Sequence, residues 1–135
     1  MSISKLDRYA ALALQIDCDG VHPDKTREES AARMQRSIAR IDQAVAGARR
    51  WIGTDLKLVV LPEYILSGPP WGETIPEWAA KGALHPRGPE YDALGALAQK
   101  HAVYLAGNGY ETDDHFPGLY FQACWVFDPS GNRIL

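Results

Sequence analysis

The sequence predicts an α/β layered fold in the order strand, helix, strand, helix, strand, strand, and three stretches carry that prediction. Leu58-Val59-Val60-Leu61 is a branched apolar run of strand length that stops on Pro62 and then presents Glu63. Such a run reads as a strand buried on both faces of a parallel sheet. Thr26-Arg27-Glu28-Glu29 has the form of a capping box, and behind it Ala31, Met34, Ile38, Ile41, Val45, Ala48 and Ile52 recur at alternating steps of three and four. That spacing lays one apolar stripe along a helix. From Tyr120 to Phe127 aromatic and branched residues return, and Asp128-Pro129-Ser130-Gly131 closes them with a turn signal.

The elements follow in chain order. Tyr9 to Cys18 is nearly continuous in apolar character and is broken by Asp19-Gly20 and Pro23, which predicts a first buried strand. The helix begins after Thr26; Arg49 and Arg50 suit its negative end and Gly53 its stop. Pro62 cannot donate to a sheet ladder, so it ends the second strand and leaves Glu63 at the carboxyl edge. In open α/β sheets that edge is where ligands bind. Ser67 to Gly72 is too rich in glycine and proline for regular structure and forms a loop beside that edge, where function collects more often than packing. A short helix over Ile75 to Leu84 surrounds Trp78, and His85 to Pro89 breaks it. Pro89 suits the first turn of a second long helix, Pro89 to His101, which leads into a third strand, Val103 to Ala106, ended by Gly107-Asn108-Gly109. Thr112 to His115 with Pro117-Gly118 is a polar loop, and Arg133 to Leu135 begins a last strand. Right-handed crossovers set such strands side by side in a sheet covered on both faces.

Composition bounds the function. The chain has 135 residues, enough for one compact domain, and 46% hydrophobic residues supply its core. A formal net charge of -3 leaves no basic field for nucleic acid or an acidic membrane surface, so a small neutral or polar ligand is expected. Residues 1 to 8 are charged and hold no leader-like apolar segment, and no run reaches the roughly 20 apolar residues that span a bilayer. The expected location is the cytoplasm. Cys18 and Cys124 lack metal or redox spacing and read as reduced, buried thiols. His22, His85, His101 and His115 share no ligand spacing, so no metal site is expected.

At Leu61-Pro62-Glu63 the chain resembles the amino-terminal half of the nitrilase superfamily, the carbon-nitrogen hydrolases. Tyr9 to Ile16 resembles the family's first strand, and Asp55 to Gly68 its motif of apolar strand, proline, glutamate and a following glycine. Gly88-Pro89 matches the start of the next long helix, Leu105-Ala106-Gly107 with Glu111 the strand and loop after it, and Tyr120 to Gly131 the strand and hairpin that follow. Gln122 departs from the pattern, since many members carry asparagine there. The resemblance implies a layered αββα hydrolase with a glutamate, lysine and cysteine triad and no cofactor. In it a cysteine thiolate attacks an amide or nitrile carbon, the glutamate moves protons, and the lysine stabilises the oxyanion.

Only the glutamate carries over, onto Glu63. A carboxylate, with an ordinary pKa of about 4.3, needs a partly dehydrated site to act as a base near neutrality, which the end of a buried strand would offer. In the family the lysine lies just beyond the hairpin and the cysteine further on, at a tight turn; neither Cys18 nor Cys124 sits in such a turn. The resemblance therefore implies a homo-oligomer or a missing carboxyl-terminal half as the partner of this stretch. Tyr64 and Trp71 flank the glutamate as candidate substrate-binding residues; Trp71 and Trp78 both suit either a pocket wall or aromatic core packing, with core packing the readier role.

Two other readings stand beside this one. Ile16-Asp17-Cys18-Asp19-Gly20-Val21 resembles the first motif of haloacid dehalogenase-like phosphatases, in which Asp17 would be the nucleophile, Asp19 the acid or base, and both would help bind magnesium. Asp17 and Asp19 equally suit a simple turn into the helix. The last reading is an inactive, truncated relative or a subunit that pairs with a separate chain.

Overall fold

The computed structural model describes residues 7–135, so the first six of the eight residues read above for a leader lie outside the described residues. Strands β1 (Ala10–Ala13), β2 (Leu56–Val60), β3 (Tyr104–Thr112) and β4 (Tyr120–Phe127) form one sheet in the order β1-β2-β3-β4. The first three are parallel and β4 is antiparallel to β3. Helices α1 (Arg27–Ile52) and α3 (Pro89–His101) make the β1-to-β2 and β2-to-β3 crossovers, and the short α2 (Ile75–Lys81) precedes α3. No helix among the described residues is long and apolar enough to cross a membrane.

The capping box forms as read: Thr26 Oγ1 accepts from the Glu29 amide, and Glu29 Oε2 accepts from the Thr26 amide. Met34, Ile38, Ile41 and Val45 of the stripe are buried, whereas Ala31, Ala48 and Ile52 toward its ends are only half-buried. Each fully buried side chain contributes about 1.5–3 kcal/mol and the cap about 1, so packing rather than capping holds α1 in place. Asp42 joins the two long helices, accepting from Lys100 Nζ at 2.6 Å and lying 2.7 Å from His101 Nε2.

The strands depart from the sequence reading in three ways. Only Ala10–Ala13 of the expected first strand pairs, because β2 offers five residues, and one further bond from the Leu14 amide to the Val60 carbonyl closes the ladder. β3 does not end at Gly107-Asn108-Gly109 but runs to Thr112, paired residue for residue with β4 from Leu105↔Phe127 to Thr112↔Tyr120. The glycines sit inside a strand for a packing reason. A Cβ at Gly107 would come within 2.4 Å of the Trp125 ring, so the bare backbone there lets the indole lie across β3.

The third departure concerns the faces. Val59, Leu105, Trp125 and Phe127 are buried, while Val60 and Tyr104 on the opposite face are 41% and 43% exposed. The sheet expected to be covered on both faces is covered on one by the described residues. On the open face Tyr9, Leu58, Tyr104, Ala106 and Val126 line an apolar hollow of about 510 Å³. The last segment begins a hairpin as expected, with Phe127 bridged to Arg133 and the Ile134 amide donating to the Val126 carbonyl.

Candidate active site

β2 ends in its last ladder bond, from the Leu61 amide to the Ala106 carbonyl at 2.9 Å. Pro62 has no N–H to continue, and the chain turns over Glu63 to Ser67. Ile65 and Leu66 are buried and anchor the turn from below, while Glu63 projects exposed. Tyr64 takes φ of 51°, a left-handed conformation that a non-glycine residue adopts at a cost of about 1–3 kcal/mol. That conformation is held by bonds on both sides of the residue. The Tyr64 amide donates to Asn108 Oδ1 at 3.0 Å, and its carbonyl accepts from the Gly68 amide at 2.8 Å, the Ser67 amide at 3.1 Å and Cys18 Sγ at 3.4 Å.

Around the carboxylate the open face presents polar and aromatic groups from β3 and β4. Gln122 Nε2 lies 3.4 Å from Glu63 Oε1, a long hydrogen bond in which the amide donates. Tyr64 stacks on Tyr110 with centroids 4.5 Å apart and planes 6° from parallel, and Tyr120 meets Tyr110 edge-on at 5.0 Å. Burial, then the hydrogen bond with Tyr64, pushes the Tyr110 phenol upward, so it stays protonated. Asn108 and Cys124 are cross-strand partners. The partly dehydrated surroundings expected of Glu63 are absent among the described residues, because nothing covers this face.

The two cysteines are free and exposed, not buried as the sequence suggested. Burial of the Sγ nonetheless raises the Cys18 pKa above its usual value, with the Gly68 amide opposing that shift. Cys18 thus acts as a thiol donor to the turn that carries Glu63. Trp71 also departs from expectation. Ser67 and Gly68 do close the Glu63 turn, but the loop then leads away. Trp71 stands 82% exposed on the rim of a separate cleft of about 660 Å³ with His22, Arg27, Glu73 and Lys81, and neither Glu63 nor Tyr64 lines it. Trp78 is fully buried against Tyr110 and His22, the core role read for it.

That second cleft is organised by Glu73. Burial acts to raise its pKa but is outweighed by Lys81 Nζ at 2.9 Å, the Trp71 amide at 2.7 Å, its own amide and His22, which together hold it at about 2 instead of the ordinary 4.5. A carboxyl whose folded pKa is depressed stabilises the fold fully above its unfolded pKa and loses that contribution as pH falls through the folded value. The wild-type protein should therefore lose stability between about pH 4.5 and 2. Glu73→Gln should flatten that part of a denaturation-versus-pH curve, and an unchanged curve would count against the Lys81 pair.

Of the two aspartates of the phosphatase reading, the Asp19 carboxylate is engaged elsewhere. Arg33 donates to Asp19 at 2.7 Å and forks onto Asp24 at 2.8 and 2.9 Å, and the Asp17 carbonyl accepts from Arg40. A cation bound by Asp19 would have to displace that guanidinium. His22, His85, His101 and His115 each lie beside a different carboxylate. Among the described residues no group of three or more His, Cys, Asp or Glu is placed to hold a metal ion.

The profile of the carbon-nitrogen hydrolase family matches residues 13–134, almost the whole chain. This chain belongs to the carbon-nitrogen hydrolase family. Its α/β fold is that of solved nitrilase-superfamily structures. N-terminal amidase superposes with a TM-score of 0.61 at 16% identity, over 93% of this chain and 26% of that one. A carbon-nitrogen hydrolase from Helicobacter pylori gives 0.57 at 20%, over 91% and 36%. Nit3 of Saccharomyces cerevisiae, from branch 10 of the superfamily, gives 0.59 at 24%, over 87% and 40%. The chain thus spans between about a quarter and two-fifths of the length of these structures. A search of curated protein sequences gives no significant match. Family membership removes the phosphatase reading, and with it the roles suggested for Asp17 and Asp19.

Proposed function

We propose that the complete protein hydrolyses a non-peptide carbon–nitrogen bond of a small amide or nitrile, with Glu63 as the proton-transfer carboxylate. The observation that carries this reading is the placement of Glu63 at the carboxyl edge of β2, on a strained turn gripped by β3, within a chain of this family. Tyr64 lines the substrate side of the turn and is the substrate-binding residue of this reading. N-terminal amidase, whose structures include complexes with Asn-Glu-Ala and Gln-Val peptides, supports a ligand that carries an amide. Residues 1–135 are then the amino-terminal part of one hydrolase domain, acting in the cytoplasm as a homo-oligomer and needing no cofactor.

The triad's lysine and cysteine come from polypeptide outside this sequence. A second sheet on the open face completes the αββα sandwich, fills the apolar hollow and supplies the dehydration that the carboxylate lacks here.

In the proposed reaction Glu63 takes the thiol proton as the sulfur adds to the amide carbon and delivers it to the departing ammonia. It then takes a proton from the water that cleaves the thioester and returns it to the released sulfur. The test is mass spectrometry of the full-length protein quenched during turnover of a small amide. Peptide mapping should place the acyl adduct on a cysteine other than Cys18 and Cys124; an adduct on either of those would overturn the division of the triad.

A further inference from the structure

We infer that Asn108 is the positioning residue of the active site: its side-chain carbonyl extends the sheet past the end of β2 and fixes the peptide that carries Glu63. This inference rests on the proposed catalytic role of Glu63. Three consecutive same-face residues of β3 hold the departing chain in order. The Ala106 carbonyl accepts the Leu61 amide at 2.9 Å, Asn108 Oδ1 accepts the Tyr64 amide at 3.0 Å, and the Tyr110 ring carries the Tyr64 ring at 4.5 Å. The first is an ordinary ladder bond. The second replaces the ladder with a side chain, where the chain leaves the sheet and turns over Glu63 to Ser67. Because a backbone N–H can only donate, the contact also fixes the orientation of the Asn108 amide.

The bond acts on a planar unit. The Tyr64 amide belongs to the 63–64 peptide, and Glu63 Cα lies in the same plane, so fixing the N–H direction fixes the base of the Glu63 side chain. On the other side of Tyr64 its carbonyl is held by the Gly68 and Ser67 amides and the Cys18 thiol. With both flanking peptides tied, the left-handed Tyr64 at φ of 51° persists. Asn108 is itself held rigidly, its backbone lying within the β3–β4 ladder opposite Cys124. Without its acceptor, the buried side of the turn keeps its anchors at Ile65 and Leu66, and the fold survives. What is lost is the aim of one carboxylate.

The experiment compares Asn108→Ala and Asn108→Asp in the full-length protein, with Glu63→Gln as reference, reading kcat, KM, thermal unfolding and hydrogen exchange of the Tyr64 amide. Asn108→Ala should lower kcat by about 10–100-fold, the scale of a misplaced catalytic group, while KM stays within about threefold. It should also speed exchange at Tyr64 with little change in Tm. Asn108→Asp keeps the acceptor and should recover kcat at its own optimum pH and restore slow exchange, with the acid limb of its pH profile moved upward by the added negative charge. Wild-type kcat in Asn108→Ala, or equal losses in the Ala and Asp variants, would overturn the inference while Glu63→Gln stays inactive. A fully active Glu63→Gln would instead overturn the reading beneath it.

Discussion

Glu63→Gln in the full-length protein is expected to lower kcat for amide hydrolysis by about 10²–10⁴-fold, the range contributed by one positioned acid or base. Its thermal unfolding should be unchanged. The substitution keeps the shape and one carbonyl oxygen of the side chain, so Gln122 retains an acceptor. Among the described residues the one side-chain hydrogen bond of Glu63 is the long contact with Gln122, so the substitution strands no partner. What Gln cannot do is carry the proton between thiol, leaving nitrogen and water. A large kinetic loss with an intact fold separates the chemistry of Glu63 from its scaffolding, whereas full activity would remove it from the mechanism.

Arg27→Ala is expected to have the largest effect on stability. Glu90, at the start of α3, is completely buried; Arg27 Nη2 donates to its Oε1 at 2.6 Å, and Oε2 has no partner among the described residues. Arg27 itself opens α1, so this single pair joins the amino ends of both long helices. Truncating the arginine strands a carboxylate in the core, which costs about 3–5 kcal/mol, against about 1 for an exposed pair. For a chain of this size the Tm should fall on the order of 10 °C. Arg27→Met combined with Glu90→Leu should recover most of the loss, because the apolar pair removes the buried charge altogether. Denaturant titration of the cycle decides the point: a loss below about 1 kcal/mol for Arg27→Ala would mean that Glu90 reaches water.

The helices were legible because their signals are local. Thr26 and Glu29, the stripe through Met34 and Ile41, and Pro89 at the first position of α3 all act within a few residues of chain. The sheet was less legible because its rules are not local. Nothing near Gly107-Asn108-Gly109 distinguishes a turn from a strand crossed by an indole; the eight-residue β4 was the available signal, since a strand that long requires a partner of equal length. The apolar run Leu58 to Leu61 was written for two covered faces, and the described residues cover one.

The site divides the same way. Glu63 at the strand edge followed from Pro62 alone. Its grip by Asn108, the left-handed Tyr64 and the Cys18 contact depend on residues more than forty positions apart in the chain, which no spacing pattern reveals. Trp71 was assigned by its nearness in sequence to the glutamate, yet the loop closes on the Tyr64 carbonyl through Ser67 and Gly68 and then turns away.

The most direct measurement of the central claim is ammonia release from a panel of small primary amides and nitriles by the full-length protein. Both substrate types end as carboxylic acid and ammonia. The account predicts catalytic release that matches acid formation and ceases on alkylation of the active thiol. Release that survives alkylation, or none from any member of the panel by folded protein, would contradict it.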